Sequence, residues 1–277
     1  MSENIQTDTL LNGYKILQNP KAFMFGIDAV LLANFALCEL KEEENILDLC
    51  TGNGIIPLLL AGSKKVKKIT GVEIQQEAAE LAQKSVEINE LKNKISIINA
   101  DLRTIVNNKG KDNSLCNFKK HSFSCITCNP PYMIAGHGKN NPTDAKAIAR
   151  HEIFCTLEDV IFTAEQLLAT HGKFFMIHRP FRLSEIFSIM EKCNLVPKRI
   201  QLIQPQEGKE ANLVLIEARK NANVGLKVEK VLNVYEAQKE TGLQNTPEFC
   251  KPAQEGKVKN DKKFYTKEIL EIYKSFK

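Results

Sequence analysis

The sequence of 277 residues lacks any apolar stretch approaching the roughly 18–20 residues that a membrane-spanning helix needs. Its first residues, MSENIQTDTLLNGYK, are polar where a secretion signal needs a basic stretch and an apolar run. Both absences lead to the expectation of a cytoplasmic protein with no membrane partner. No internal repeat is present. An excess of one charge is also missing. The formal net charge of +5 permits a polyanionic partner but does not by itself demand one. The densest basic cluster, Lys64, Lys65, Lys67 and Lys68, reads as a solvated connection between a helix and a strand. Of the eight cysteines, Cys125 and Cys128 form a C-x-x-C, but no second ligand pair follows at finger-like spacing. No metal site is expected, and thiols such as Cys50, Cys125, Cys128 and Cys155 read as small hydrophobes in apolar segments.

What is present is an ordinary globular composition, 43% hydrophobic and 26% charged, in a chain long enough to form a core without disulfides. From about residue 45, short β-branched runs alternate with longer helical patterns. Strands are expected over residues 46–49, 69–73, 95–98, 123–128 and 174–177. Helices are expected over 55–61, 77–89 and 157–168. The second should bury Ala78, Leu81, Ala82 and Ser85, and the third should be capped by Thr156. Alternation of this kind predicts a parallel sheet with helices on both faces. After a helix over 182–192, two strands over 198–203 and 213–218 are joined by PQEGKEA, too short for a crossover, so they should pair antiparallel. Three regions follow from this reading. Residues 1–44 form an extension contributing to the pocket, with a helix over 29–40 capped by Asp28. Residues 45–220 form the catalytic domain, with an exposed insertion over 106–120. Residues 221–277 form a polar tail, expected to be mobile over 236–262, with a terminal helix over 266–276.

The first strand runs into Asp48-Leu49-Cys50-Thr51-Gly52-Asn53-Gly54, and a helix opens with Pro57 in its first turn. Gly52 and Gly54 allow a sharp turn and a close ligand approach. A dinucleotide fingerprint needs a small third residue for helix–strand packing and free N–H groups for a pyrophosphate, but Pro57 stands there without an N–H. Asp48 suits an ammonium better than a diphosphate. S-adenosylmethionine has an ammonium, a sulfonium and no phosphate. Glu73 ends the second strand roughly 20 residues later, where a carboxylate can accept from both ribose hydroxyls. Asp101, with Leu102 beside it, follows the third strand and is placed to meet an adenine amino group. Cys50 and Ile74 adjoin these residues and, with Asn129 at the end of the fourth strand, belong to the same expected cofactor-facing set. Any one of these acids could be a turn or cap residue. Three at successive strand ends, on one edge of a sheet, point to a ligand site.

The fourth strand ends at Asn129-Pro130-Pro131-Tyr132. A stiff turn would account for the prolines alone. The chemistry of a planar exocyclic amine accounts for all four residues. Its lone pair is delocalised, so it is a poor nucleophile. Accepting hydrogen bonds from both of its N–H groups, through the Asn129 side-chain oxygen and the Pro130 carbonyl, draws the nitrogen towards a tetrahedral shape. Pro130 and Pro131 hold that geometry rigid, and Tyr132 offers a face for a flat target.

With these residues in view, the chain resembles the bacterial tRNA1(Val) adenine-37 N6-methyltransferases and the small NPPY-type RNA methyltransferases around them. The resemblance runs through FGIDAVLLANF, DLCTGNGIIPLLLA, TGVEIQ, NADL, TCNPPY, ARHE, HRPFRL and PKRIQLIQP, over about residues 10–220. It implies a Rossmann-like class I methyltransferase fold, α/β, with a mostly parallel seven-stranded sheet ending in an antiparallel hairpin. It also implies S-adenosyl-L-methionine as cofactor and N6 of an anticodon-adjacent adenine in tRNA as target. Asp48, Gly52, Gly54, Glu73 and Asp101 fall on the family's cofactor positions, and Asn129 to Tyr132 on its catalytic motif. The longer stretch over 236–262 departs from the family.

NPPY also occurs in enzymes that methylate DNA adenine, guanine N2 or a release-factor glutamine. The release-factor enzymes place a sizeable helical domain before the sheet, and only about 44 residues precede it here. DNA adenine methylation would need a target-recognition domain. A non-catalytic RNA-binding protein would not need Asp48, Glu73 and Asn129 together, and an NAD oxidoreductase does not fit Pro57. Arg150, His151, Arg179 and Arg182 are candidate RNA contacts, with caps and surface pairs as the other reading. Phe23 and Phe25 read as apolar packing near the pocket.

Overall fold

The computed structural model describes residues 5–22, 24–42, 44–106, 118–132, 155–236 and 264–276. Arg150, His151, Phe23, most of the 106–120 insertion and nearly all of the 236–262 stretch lie outside these residues. Among the described residues, no helix is long and apolar enough to cross a membrane.

A hairpin of β1 (Gln6–Thr9) and β2 (Lys15–Gln18) opens the chain, followed by α1 (Ile27–Leu37). Then come β3 (Glu44–Leu49), α2 (Ile55–Ala61), β4 (Val66–Glu73), α3 (Gln76–Ile88), β5 (Ile95–Asn99) and β6 (Phe123–Cys128). The second half contains α4 (Leu157–Leu167), β7 (Leu168–His178), a 3-10 turn (Pro180–Arg182), α5 (Leu183–Lys192), β8 (Leu195–Gln206) and β9 (Leu213–Lys220). Two short strands, β10 (Lys227–Val228) and β11 (Leu232–Tyr235), precede α6 (Lys267–Lys274).

The sheet runs β8-β9-β7-β6-β3-β4-β5, with β10 and β11 added parallel to the outer side of β8. Strands β5, β4, β3, β6 and β7 are parallel, and β9 is antiparallel to both its neighbours. The seven expected strands and their closing hairpin are therefore present, and the additions bring the sheet to nine. β11 occupies part of an edge that would otherwise expose unpaired backbone groups. The central strands are buried on both faces, as parallel strands covered by helices must be. Ile46, Phe175 and Ile177 face one core with α1, α2 and Val86 of α3. Leu47, Leu49, Phe174 and Met176 face the other core with α4 and α5. Chain order reverses beside β3: β4 and β5 extend to one side of it, β6 and β7 to the other. The crevice at such a switch point, beyond the carboxyl ends of the strands, is where open α/β sheets bind ligands.

Local differences from the sequence reading have physical causes. α1 begins at Ile27 with Gly26 as its N-cap, so Asp28 lies inside the first turn and is not the cap. Its carboxylate is engaged elsewhere, as described below. The buried face of α3 carries Ala79, Ala82, Ser85 and Val86, and Ala78 and Leu81 are only half-buried. Close approach sets that face: the glycine loop packs on Ala82, and the Ser85 hydroxyl accepts the Leu17 N–H of the hairpin at 2.9 Å. α4 has its cap at Thr156, whose side chain accepts from the Asp159 N–H while Asp159 accepts in return. Thr266 likewise caps α6, which begins after it, and the Ser275 hydroxyl donates to Asn34 of α1 at 2.8 Å.

Candidate active site

The glycine loop turns sharply out of β3. Cys50 (φ 57°), Gly52 (φ 57°) and Gly54 (φ 84°) all have positive φ. A side chain at Gly54 would bring its Cβ to 3.1 Å from that of Ala82, so the strained turn and the close helix contact both call for glycine there.

Asp48 is completely buried, with its two oxygens accepting from the hydroxyls of Thr51 and Thr127, each at 2.6 Å. Burial pushes its carboxyl up to about 7 against the pull of those two hydroxyls. The expected contact with a ligand ammonium is thus corrected. Asp48 ties the end of β3 to β6 and presents no surface to a ligand. Glu73 is also buried, and burial raises its carboxyl as well. Its Oε2 accepts the Gly52 N–H at 2.8 Å and its Oε1 the Gln75 N–H at 2.9 Å.

Cys50, Glu73, Ile74, Asp101, Leu102 and Cys155 line one small pocket open to solvent. Residues from the ends of three strands meet there as the sequence reading expected. Asp101 differs in one respect: its carboxylate is held in a two-pronged pair by the Arg103 guanidinium. Burial alone would raise the Asp101 carboxyl, but the hydrogen bonds and charge of Arg103 together hold it below its ordinary value. Among the described residues the pocket lining contains no lysine or arginine. Apolar walls with the Glu73 carboxylate and the Arg103-paired Asp101 carboxylate suit a nucleoside. Cys125 belongs to one core and Cys128 to the other, so this C-x-x-C pair faces opposite sides of the sheet. Among the described residues, no group of His, Cys, Asp or Glu is arranged to hold a metal ion.

Across the switch point, Asn129-Pro130-Pro131-Tyr132 leaves the end of β6. The Tyr132 hydroxyl lies 2.8 Å from Oδ2 of Asp28 and 2.5 Å from Oδ1 of Asn129. Burial first, and then the Asp28 charge, push the phenol up, while Arg179 pulls it down. The Arg179 guanidinium lies over the Tyr132 ring, 5.2 Å from its centroid, and His178 meets the same ring edge to face at 5.3 Å. His178 is fully buried at the end of β7, and neither ring nitrogen makes a hydrogen bond of ordinary geometry. Burial first, and then the Arg182 charge, lower it to about 4.

The two described arginine candidates part company. Arg182 is 4% exposed and grips Glu185 at 2.9 and 2.7 Å, so its assignment as an RNA contact is corrected to a structural pair. Arg179 remains partly open, donating to the Asn212 carbonyl at 3.0 Å. Phe25 is half-buried against the first core, as a packing residue should be. Four features escaped the sequence reading. Asp28 has the sequence signature of a cap, and His178 lies beside Arg179 with no local pattern that marks it. Phe181, 71% exposed on the 3-10 turn, has no periodic signal. Gln18 joins the hairpin to the glycine loop by accepting from Asn53, at 3.1 Å, a contact no local pattern encodes.

The model of the TRM5/TYW2 methyltransferase domain matches residues 11–127. That match covers the cofactor half and stops just before Asn129. A protein of a Flavobacteriaceae bacterium (strain 3519-10) is 26% identical over 231 residues, 81% of this chain and 91% of its own. One from Porphyromonas gingivalis strain W83 is 28% identical over 209 residues, covering 74% and 78%. Both are named tRNA1(Val) (adenine(37)-N6)-methyltransferase. This chain is an S-adenosylmethionine-dependent methyltransferase. Among solved structures, an Agrobacterium tumefaciens protein described as a predicted O-methyltransferase aligns with a TM-score of 0.59 at 25% identity, covering 77% of this chain and 90% of that one. The tRNA m1G37 methyltransferase of M. jannaschii aligns at 0.56 with 14% identity, over 80% of this chain and 59% of that one, a likeness of fold alone. The methyltransferase fold and the antiparallel β8–β9 closure agree with each other.

Proposed function

We propose that this methyltransferase transfers a methyl group to the exocyclic N6 of an adenine in tRNA, at adenine 37 beside the anticodon. The observation that carries the reading is the Asn129–Tyr132 loop standing across the switch point from the glycine loop. The name shared by the relatives supports the choice of base. A cytoplasmic location goes with this substrate.

S-adenosylmethionine supplies an electrophilic methyl on a sulfonium. Gly52 and Gly54 let the backbone come close to it, and Glu73 accepts from its ribose hydroxyls. Ile74 and Leu102 flank its adenine, with Cys50 at the floor of the pocket. Asp101 reaches the adenine amino group by exchanging one prong of its pair with Arg103. Asp48 acts at one remove, fixing Thr51 and Thr127 so that the two loops keep their separation. On the acceptor side, the Asn129 oxygen and the Pro130 carbonyl accept the two N–H groups of the target amine. The lone pair is thereby turned towards the methyl group, and Pro131 stiffens the loop. No strong base is required, because the methylated ammonium product sheds its proton readily. Tyr132, Arg179 and the exposed Phe181 form the rim on which a flipped base and its neighbour stack, at about 1–3 kcal/mol per base. Residues 1–44 contribute Asp28 and Phe25 to this pocket, 45–220 carry the chemistry, and 221–277 close the sheet edge.

The test is methyl transfer from labelled S-adenosylmethionine to bulk tRNA from a strain lacking the gene, followed by nucleoside analysis. A rise in N6-methyladenosine supports the reading. Label in another nucleoside, or in a release-factor glutamine, overturns the assigned target.

A further inference from the structure

We infer that Asp28, on the first turn of α1, is a positioning residue for methyl transfer: through the Tyr132 hydroxyl it fixes which way the Asn129 amide faces. The inference rests on Asn129 being the acceptor for the target amine, as proposed above. It adds a residue that lies outside the acceptor loop and belongs to the N-terminal extension.

The phenol of Tyr132 has one proton and two neighbours. Its oxygen is 2.8 Å from Oδ2 of Asp28 and 2.5 Å from the Asn129 side-chain atom placed as Oδ1, so with that placement the phenol faces two acceptor oxygens. One proton cannot satisfy a carboxylate oxygen and an amide oxygen together. The carboxylate is the stronger acceptor and takes it. An amide oxygen left facing the phenol oxygen with no proton between them would be repelled. The amide therefore turns its NH2 to the phenol, which accepts. The oxygen and nitrogen of an asparagine have the same shape, so the hydrogen-bond network decides their order. The chain then reads Asn129 N–H to Tyr132 O–H to Asp28 carboxylate. This leaves the Asn129 oxygen on the opposite side, free to accept from a target amine.

Asp28 is itself held in place. Its other oxygen, Oδ1, accepts the Ala29 N–H at 2.9 Å, and a Cβ at Gly26 would come within 2.8 Å of that oxygen. Without the carboxylate, the phenol proton is free to go to the Asn129 oxygen, and the amide turns over. The acceptor is then withdrawn from the amine while the cofactor pocket, on the far side of β3, is untouched.

The experiment compares Asp28→Ala, Tyr132→Phe, the double variant and Asp28→Asn in the full chain. It measures kcat, KM for tRNA, cofactor Kd and thermal midpoint. Asp28→Ala and Tyr132→Phe should each lower kcat about 100-fold, the scale of a mispositioned reacting group, with cofactor Kd unchanged. The double variant should be no worse than the poorer single one, because both break one chain. Asp28→Asn should lower kcat as well although its shape preserves α1, because its one oxygen serves the Ala29 N–H and an NH2 then faces the phenol. Turnover of Asp28→Ala within twofold of the parent overturns the inference. So does a multiplicative loss in the double variant, or a loss of cofactor binding matching the loss of kcat, which would make Asp28 a cofactor-holding residue. A parent protein that binds cofactor but methylates no RNA overturns the acceptor assignment instead, and does so before any variant is made.

Discussion

The two sides of the switch point differ in how completely their polar groups are satisfied. On the cofactor side, Asp48, Glu73 and Asp101 have their carboxylates engaged by hydroxyls, backbone N–H groups and Arg103 respectively. On the acceptor side, neither His178 ring nitrogen makes a hydrogen bond of ordinary geometry among the described residues, and the one Tyr132 proton goes to Asp28. An unsatisfied buried group costs about 1–3 kcal/mol, so nature keeps few of them, and each asks for an explanation. The contrast teaches that the cofactor pocket is built in advance, while the acceptor side keeps hydrogen-bonding capacity in reserve for the base it receives.

The largest effect should come from the satisfied side. Glu73→Ala removes the ribose acceptor and also frees the Gly52 and Gln75 N–H groups. Cofactor affinity should fall on the order of 100-fold, read by calorimetry, given about 1.5–3 kcal/mol per hydrogen bond to a charged group. Unchanged affinity would remove Glu73 from the pocket and erase the contrast.

Next comes stability against pH, in which the two sides pull in opposite directions. The Asp48 carboxyl rises from 3.8 to about 7 on folding, so the folded chain holds an extra proton between those values. Its contribution to stability is present at low pH and is lost as pH rises through that window. His178 falls from 6.5 to about 4, so the unfolded chain holds the extra proton there. Its contribution is present above 6.5 and lost as pH falls towards 4. The two slopes oppose each other over nearly the same range. Asp48→Asn should uncover the histidine slope and weaken on acidification from pH 7 to 5. His178→Phe should uncover the aspartate slope and weaken in the other direction. Each slope amounts to a few kcal/mol at most, on the order of 1.4 per pH unit. Denaturant titrations at pH 5 and 7 measure both, and parallel slopes in the two variants would contradict the opposition.

A smaller effect belongs to the rim. Phe181→Ala should raise KM for tRNA roughly tenfold while leaving kcat and cofactor Kd alone, as loss of one stacking contact would. Phe181→Trp should restore it. An unaltered KM would move the RNA path away from the 3-10 turn.

Most of the sheet could be read in the sequence because parallel strands buried on both faces are continuous apolar runs, as in residues 46–49 and 123–128. The β1–β2 hairpin escaped because QTDT and KILQ bury little besides Ile16 and Gln18. β10 and β11 escaped because they are too short to show alternation and owe their form to the edge of β8. At the site, the residue types at the strand ends were legible, and their partners were not. Nothing local to Asp48 reveals that Thr127, from a strand 79 residues later, fills its second oxygen. Arg182 looked available because Glu185, three residues on, could equally have faced solvent. Asp28 has the sequence signature of a cap because aspartate before a helix usually is one, but α1 starts at Ile27 and the carboxylate goes to Tyr132.

The most direct measurement sets Asn129→Ala beside the parent protein and follows cofactor affinity and methyl transfer to tRNA on the same preparations. The account predicts cofactor affinity within twofold of the parent and a loss of turnover of at least about 100-fold, the scale of removing one preorganised hydrogen-bonding group at a reacting centre. Equal loss of affinity and turnover, or retained turnover, would contradict the division of the site into a prebuilt cofactor side and a separate acceptor side.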